Sequence, residues 1–435
     1  MEWPPAAFAP YADRMAKSKR ARRAGQYEQG WEVRFPLTVF LVHWAIIQGA
    51  AWLALRLGTF NGASPPYGRE PLPMGGWQGV IVEPFRQWDG LWYRLIAETG
   101  YVGGTQSAKA AFWPLYPWMM RAGSQITGLP YETVGYLISN IAFAGALIVL
   151  WRLIRLDFDD EIARRALWAM ALFPTAIFFQ AVYTESLFLL LAAGALLAAR
   201  SGRWWVAGVV GVLAALTRSY GMLLGLPFLF LLWDQYGSDI KRWWPSVVPA
   251  ALPALGPVIF GWHLSRVQGN ALAFVDVQAQ WNRYSAMPWE TMRCAVQSCF
   301  FLGGEPDGAR WDWLQQALTS PEVVTEPWWR ISVANSDILE LVCMVLFIVL
   351  AIIGLKMLPP WQSAYAIPAL VIPLFSPSEV HALMSIPRFI LPLFPLFIVL
   401  AMVIRPGPIA RIATFVSVLL LVLFTIQFAQ WYWVS

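Results

Sequence analysis

The chain is predicted to be an all-α, polytopic membrane protein of about 11 transmembrane helices. Three observations predict it. Of 435 residues, 58% are hydrophobic and only 13% are charged, a balance foreign to soluble enzymes. Apolar runs approaching or reaching bilayer length, roughly 17 to 25 residues, recur from residue 37 onward. Lysine and arginine fall in alternate turns between those runs, the pattern of a chain threaded with its cations in the cytoplasm.

The expected spans are 37–57, 131–154, 162–181, 184–200, 204–217, 219–233, 246–264, 337–357, 361–376, 386–404 and 410–432. The segment "KSKRARR" makes residues 1–36 a basic cytoplasmic tail. The first span has no small-residue cleavage site after it and reads as an anchor rather than a removed signal. The cytoplasmic turns then hold Arg152, Arg155, Arg164 and Arg165, next Arg200 and Arg203, next Lys241 and Arg242, then Lys356, then Arg405 and Arg411. Fusing 204–233 into one helix would put Lys241 and Arg242 outside, so a break is placed at "LTRSYG". Residues 37–435 form one transmembrane domain with two large outer loops, 58–130 and 265–336, both rich in Trp, Pro and Gly. The net charge of +5 is accounted for by the cytoplasmic cations, so no nucleic-acid partner is implied.

Within the first outer loop, "PFRQWDGLWYRLIAETGY" spans residues 84–101. Pro84 suits a first helical turn and Gly100 an end. Helical spacing places Arg86, Asp89 and Tyr93 on one face, with Trp88, Leu91, Trp92, Leu95 and Ile96 crowding the other. Such a helix is expected to lie on a bilayer with its polar edge toward a cavity.

Ionisable groups inside a membrane cost at least ~2.5–3.5 kcal/mol each at the centre and tend to mark function. Four sites stand out, all assigned to the outer edge: Asp89, Glu185 in "YTESLF", Arg218 in "LTRSYG", and His381 with Arg388 in "SPSEVHALMSIPRFILPLFP". Arg218 and Arg388 break the otherwise clean charge alternation. Singly, each has a structural explanation: Glu185 and Arg218 can simply pair, and Arg388 can reach to headgroups. Together they fit an anionic, lipid-linked substrate. The second loop adds "FVDVQAQWNRYSAMPWE", residues 274–290. There Gln280, Trp281 and Arg283 offer donors beside a stacking ring, suited to a sugar or phosphate, or else an interfacial anchor.

Three cysteines and three histidines match no metal-ligand spacing. Cys294 and Cys299 can form a small disulfide or stay free, since four intervening residues permit the geometry without demanding it. No nucleotide-binding or hydrolase motif appears. "DFDD" at 157–160 falls on the cytoplasmic side and reads as a solvated helix start.

The run "RQWDGLWYRLIAETGY" followed by "AAFWPLYPWMMR", then "YTESLF" and "LTRSYG", resembles the GPI second-mannose transferase (PIG-V) family of GT-C glycosyltransferases. The features fall in the family's order between residue 84 and about residue 390. Trp113 and Tyr220 depart from its pattern, where Phe and Asn are common. The resemblance implies a GT-C-type bundle with amphipathic helices in the outer loops. It implies a multi-pass enzyme of the cell membrane that moves a hexose, usually mannose, from a polyprenyl-phosphate donor to a glycolipid or glycan acceptor on the extracytoplasmic face. Asp89 would be the general base. Arg218, Arg388 and His381 would hold the departing phosphate. Arg86 would hold Asp89 oriented and ionised, and Tyr93, Glu185, Gln280, Trp281 and Arg283 would contact substrate. No cofactor or metal is expected. The rival class is a transporter or flippase of a lipid-linked sugar, against which stand the absence of internal repeats and of polar groups near the midplane.

Overall fold

The structure, a computed structural model, describes residues 32–57, 73–103, 107–300 and 336–434. Among these residues the regular elements are all helices, apart from one isolated antiparallel bridge between Arg283 and Ser378. The helices are α1 Arg34–Leu57, α2 Gly76–Ile81, α3 Asp89–Thr99, α4 Leu115–Thr127, α5 Tyr131–Arg155, α6 Asp160–Ala171, α7 Glu185–Arg200 and α8 Trp204–Thr217. They continue as α9 Gly225–Tyr236, α10 Ile240–Ala251, α11 Leu255–Gln268, α12 Pro288–Phe300, α13 Ser336–Met357, α14 Pro360–Val371, α15 Phe394–Val403 and α16 Pro408–Ala429.

Five helical stretches among the described residues are long and apolar enough to cross a membrane: α1, α5, α10 joined to α11, α13 and α16. The other expected spans are broken. Proline explains most of the breaks, since it removes a backbone donor and clashes with the preceding turn. Pro174 follows the end of α6, Pro373 stands in the 3-10 turn after α14, and Pro392 precedes α15. The expected break at "LTRSYG" is present: α8 stops at Thr217, Arg218 is extended, and a 3-10 turn Ser219–Leu224 leads into α9. Much of the outward surface is apolar, with Leu41, Ile141, Trp205, Ile352 and Phe415 all exposed. Such faces suit hydrocarbon better than water.

The cations of the expected cytoplasmic turns gather at one end of the bundle. Arg164 lies over the Phe35 ring at the start of α1, 4.6 Å from its centroid. Arg155 pairs with Glu32 at 3.6 Å and with Asp160 at 2.7 Å. Arg200 bridges Asp157 at 2.5 Å and Asp234 at 3.3 Å. Arg165 caps the far end of α15 by donating to the Ala401 and Ile404 carbonyls. Asp159 caps α6 through its side chain at 2.8 Å, so "DFDD" opens a helix as expected, but its Asp157 is buried on Arg200 rather than solvated.

Packing between helices relies on small residues, as in membrane bundles generally. A Cβ added to Gly208 would stand 2.3 Å from the Pro249 carbonyl oxygen, and one added to Gly256 would stand 2.4 Å from the Ala215 Cβ. These contacts hold α8 against α10 and α11. Gly256→Val is therefore expected to lower the melting temperature in detergent by several degrees, whereas Gly49→Ala, with nothing within 4 Å, leaves it unchanged; equal melting curves would refute the close packing. Overfilling such a contact costs ~1–3 kcal/mol.

Of the first outer loop, residues 58–72 and 104–106 lie outside the described residues, and its remainder forms α2, α3 and α4. The tail before residue 32 and residues 301–335 of the second loop lie outside them too, as does the Cys299 side chain. The possible Cys294–Cys299 disulfide therefore falls outside what the structure describes.

Candidate active site

At the end of the bundle opposite the cation-rich turns, two acid–base pairs are buried side by side. The first joins Asp89 at the start of α3 to Arg388, whose Nη1 donates to Asp89 Oδ2. Their side chains are 8% and 13% exposed, so this pair is shielded from solvent. The second joins Glu185, the first residue of α7, to Arg218 at 2.6 Å. The two pairs share a ring: Arg218 and Arg388 lie over Phe389, 5.0 and 5.3 Å from its centroid. Both carboxylates open helices, where the backbone dipole favours negative charge.

The surroundings fix these groups. Tyr183 lies beneath Arg388 at 5.5 Å; its hydroxyl accepts from the Asp89 amide at 3.1 Å and donates to the Gln87 carbonyl at 3.3 Å. Tyr93 sits one turn after Asp89 on the buried face of α3, its hydroxyl 3.4 Å from Thr184 Oγ1. Burial, with Glu185 and Asp89 adding to it, raises the Tyr93 phenol above its ordinary value, so it stays neutral and able to donate. Trp92 stacks on Phe112 at 5.6 Å, and Trp281 stands edge-on to both.

A third guanidinium approaches from the second loop. Arg283 donates to the carbonyls of Ser376 at 2.7 Å and Met384 at 3.3 Å. It feels the charges of both Asp89 and Arg388, and burial lowers it from the usual arginine value. Three arginines thus face two carboxylates. A shallow cleft between Arg218, Tyr220, Phe389 and Tyr365 opens on one side, and a crevice lined by Trp88, Tyr183, Arg388 and Trp433 on the other.

The backbone here is strained. All four non-glycine residues with left-handed φ among the described residues lie at this end: Trp88 at 53°, Asn282 at 52°, Ser385 at 73° and Trp431 at 66°. They precede Asp89, Arg283 and the Arg388 turn, or pack on one of these residues, as the Trp431 ring does on Trp88 at 5.9 Å. Such conformations cost on the order of 1–3 kcal/mol each and cluster where geometry is imposed for function.

Residues 75–238 match the model of the mannosyltransferase (PIG-V) family. The match covers the segment that carries Asp89, Glu185 and Arg218. GPI mannosyltransferase 2 of Yarrowia lipolytica is 30% identical over 144 residues, 33% of this chain and 39% of that protein. The chain thus spans about two fifths of the curated relative it matches. Among solved structures, ArnT from Cupriavidus metallidurans bound to undecaprenyl phosphate aligns with a TM-score of 0.45 and 13% identity, over 86% of this chain and 62% of that one. The apo oligosaccharyltransferase of Archaeoglobus fulgidus aligns with a TM-score of 0.48 and 13% identity, over 93% of this chain and 56% of that one.

The structure corrects one sequence expectation directly. Arg86 is not the partner of Asp89. A 3-10 turn at Glu83–Phe85 ends the approach, Trp88 turns left-handed, and the helix begins only at Asp89. The expected face through Arg86 is therefore broken, and its guanidinium pairs with Glu83 at 3.1 Å and Glu132 at 3.4 Å. Arg218 forms the plain pair with Glu185 that the sequence also allowed, yet it stays beside Arg388 on Phe389. His381 instead joins a second cluster: its Nδ1 is 2.9 Å from Asp337 Oδ1. Gln280 is exposed on the turn that presents Trp281. Sequence spacing missed Tyr183 and the grouping of Asp337, Glu340 and His381, because their partners are distant in the chain.

Proposed function

We propose that this protein is a GT-C-type membrane glycosyltransferase of about 11 spans that moves mannose from a polyprenyl-phosphate donor to a glycolipid or glycan acceptor. The reaction takes place on the extracytoplasmic face, within reach of membrane lipids. The observation that carries this reading is the Asp89–Arg388 pair flanked by Arg218 and Arg283, inside the segment that matches the mannosyltransferase family. The end opposite the lysine- and arginine-rich turns is the outer one under the positive-inside rule.

The chemistry follows from the charges. A polyprenyl phosphate is a competent leaving group, so the acceptor hydroxyl needs a base and the phosphate needs preorganised cations. In the arrangement described, Arg388 occupies Asp89 Oδ2. A donor phosphate between Arg388, Arg218 and Arg283 would draw Arg388 away and leave that oxygen open to the acceptor. Donor binding would then precede base action. Direct attack by the acceptor on the anomeric carbon inverts it, so a β-linked donor gives an α product.

The test is incubation of purified protein with polyprenyl-phosphate-mannose and a membrane lipid extract. A mannosylated lipid is the expected product. A protein that moves the donor only between vesicle leaflets, with no product in detergent, is the transporter instead.

A further inference from the structure

We propose that Asp337, Glu340 and His381 form a binding site for one divalent first-row cation, zinc(II) or manganese(II). The three side chains present donor atoms within 4.8 Å of one another. Asp337 lies in the first turn of α13 and Glu340 three residues on, on the same side of the helix. His381 comes from the irregular segment that leads to Arg388.

One oxygen of this group of side chains is left bare. Glu340 is 1% exposed. Its Oε1 accepts from the Ser385 amide at 3.3 Å, while Oε2 is buried with no hydrogen-bond partner among the described residues. A buried carboxylate oxygen left bare costs several kcal/mol unless a charge compensates it. A divalent cation supplies what is missing.

The donor set selects the class of ion. Imidazole favours zinc and its neighbours, while carboxylate oxygens also suit manganese; a site of three protein ligands leaves a position open. Bonds of ~2.0–2.2 Å place donors no more than about 4.4 Å apart across an ion, so a few tenths of an ångström of side-chain movement seats one. The 2.9 Å between His381 Nδ1 and Asp337 Oδ1 fits either two ligands on one ion or a carboxylate that orients a ligating imidazole.

The consequence is mechanical. The ion would tie the start of α13 to the segment 376–389, whose carbonyls at Ser376 and Met384 hold Arg283 and whose end carries Arg388. This inference rests on that geometry alone and needs no glycosyl transfer.

The experiment uses the full chain in detergent without a polyhistidine tag, washed with chelator and then equilibrated with zinc(II) or manganese(II). Metal content is read by elemental analysis and melting temperature by intrinsic fluorescence. About one ion per chain is expected, with a rise in melting temperature from binding to the folded state. Glu340→Gln and His381→Gln should each hold under a tenth of an equivalent and lose the rise. The His381 side chain is 29% exposed, so its variant should fold even if the buried one does not, which gel filtration would check. His263→Gln should bind as the unaltered protein does. Failure of the unaltered chain to bind either metal, or full binding by the His381 and Glu340 variants, overturns the proposal.

Discussion

Asp89→Asn is expected to reduce sugar transfer by ~10²-fold or more, the usual loss when general-base help is removed. The amide keeps the shape of the carboxylate at the start of α3 and still accepts from Arg388. It cannot take a proton from the acceptor. Donor binding should survive, because the phosphate cations Arg218, Arg283 and Arg388 are untouched. The measurement is transfer rate beside donor affinity, each taken on the purified variant. Glu83 and Glu185 are the controls. Glu83 is engaged by Arg86 and by the Met74 amide, and Glu185 by Arg218. If Asp89→Asn keeps near-normal transfer while Glu185→Gln abolishes it, the base lies in the second pair.

Arg388→Gln should have the next largest effect, and on two quantities at once. It leaves the Asp89 carboxylate buried without its cation, a change that costs ~3–5 kcal/mol when one partner of a buried pair is removed. It also takes away a phosphate ligand. The variant should melt well below the unaltered protein and transfer little sugar. The double variant Asp89→Asn with Arg388→Gln separates the two effects. With the stranded charge gone, its melting temperature should recover most of the loss, while transfer stays absent. A single variant that melts normally would show that Arg388 carries no structural load. Arg388→Lys is not a mild substitute, because a lysine cannot lie flat between the Tyr183 and Phe389 rings as a guanidinium does.

Much of the fold was legible in the sequence, because apolar period and proline are local signals. α1, α5, α13 and α16 coincide with four expected spans to within a few residues, and the break at Arg218 followed from charge alone. The acid–base residues were legible one at a time: Asp89, Glu185, Arg218 and Arg388 were each conspicuous as charges in apolar company. The Glu185–Arg218 pair was among the readings the sequence allowed, but the Asp89–Arg388 pair was not. Asp89 and Arg388 are 299 residues apart, and no spacing rule reaches that far. The nearer cation, Arg86, was the natural choice on a continuous helix, and the left-handed turn at Trp88 made that choice fail. A bulky aromatic residue is the last one would assign to such a conformation. The grouping of Asp337, Glu340 and His381 was hidden for the same reason as Arg388, with the histidine arriving from the irregular segment between Phe375 and Ile386.

The four left-handed residues carry a meaning for anyone who tries to make this protein more robust. Residues held against their preferred dihedrals are the cheapest places to gain stability, since glycine adopts them without penalty. Here three of the four, Trp88, Asn282 and Ser385, lie beside Asp89, Arg283 or Arg388 in the chain, and the fourth, Trp431, packs on Trp88. A screen that selects only for heat tolerance would be drawn to Trp88, Asn282 and Ser385, and each success would loosen the frame that aims a charged side chain. Resistance to heat and rate of turnover should therefore trade against each other at this end of the bundle.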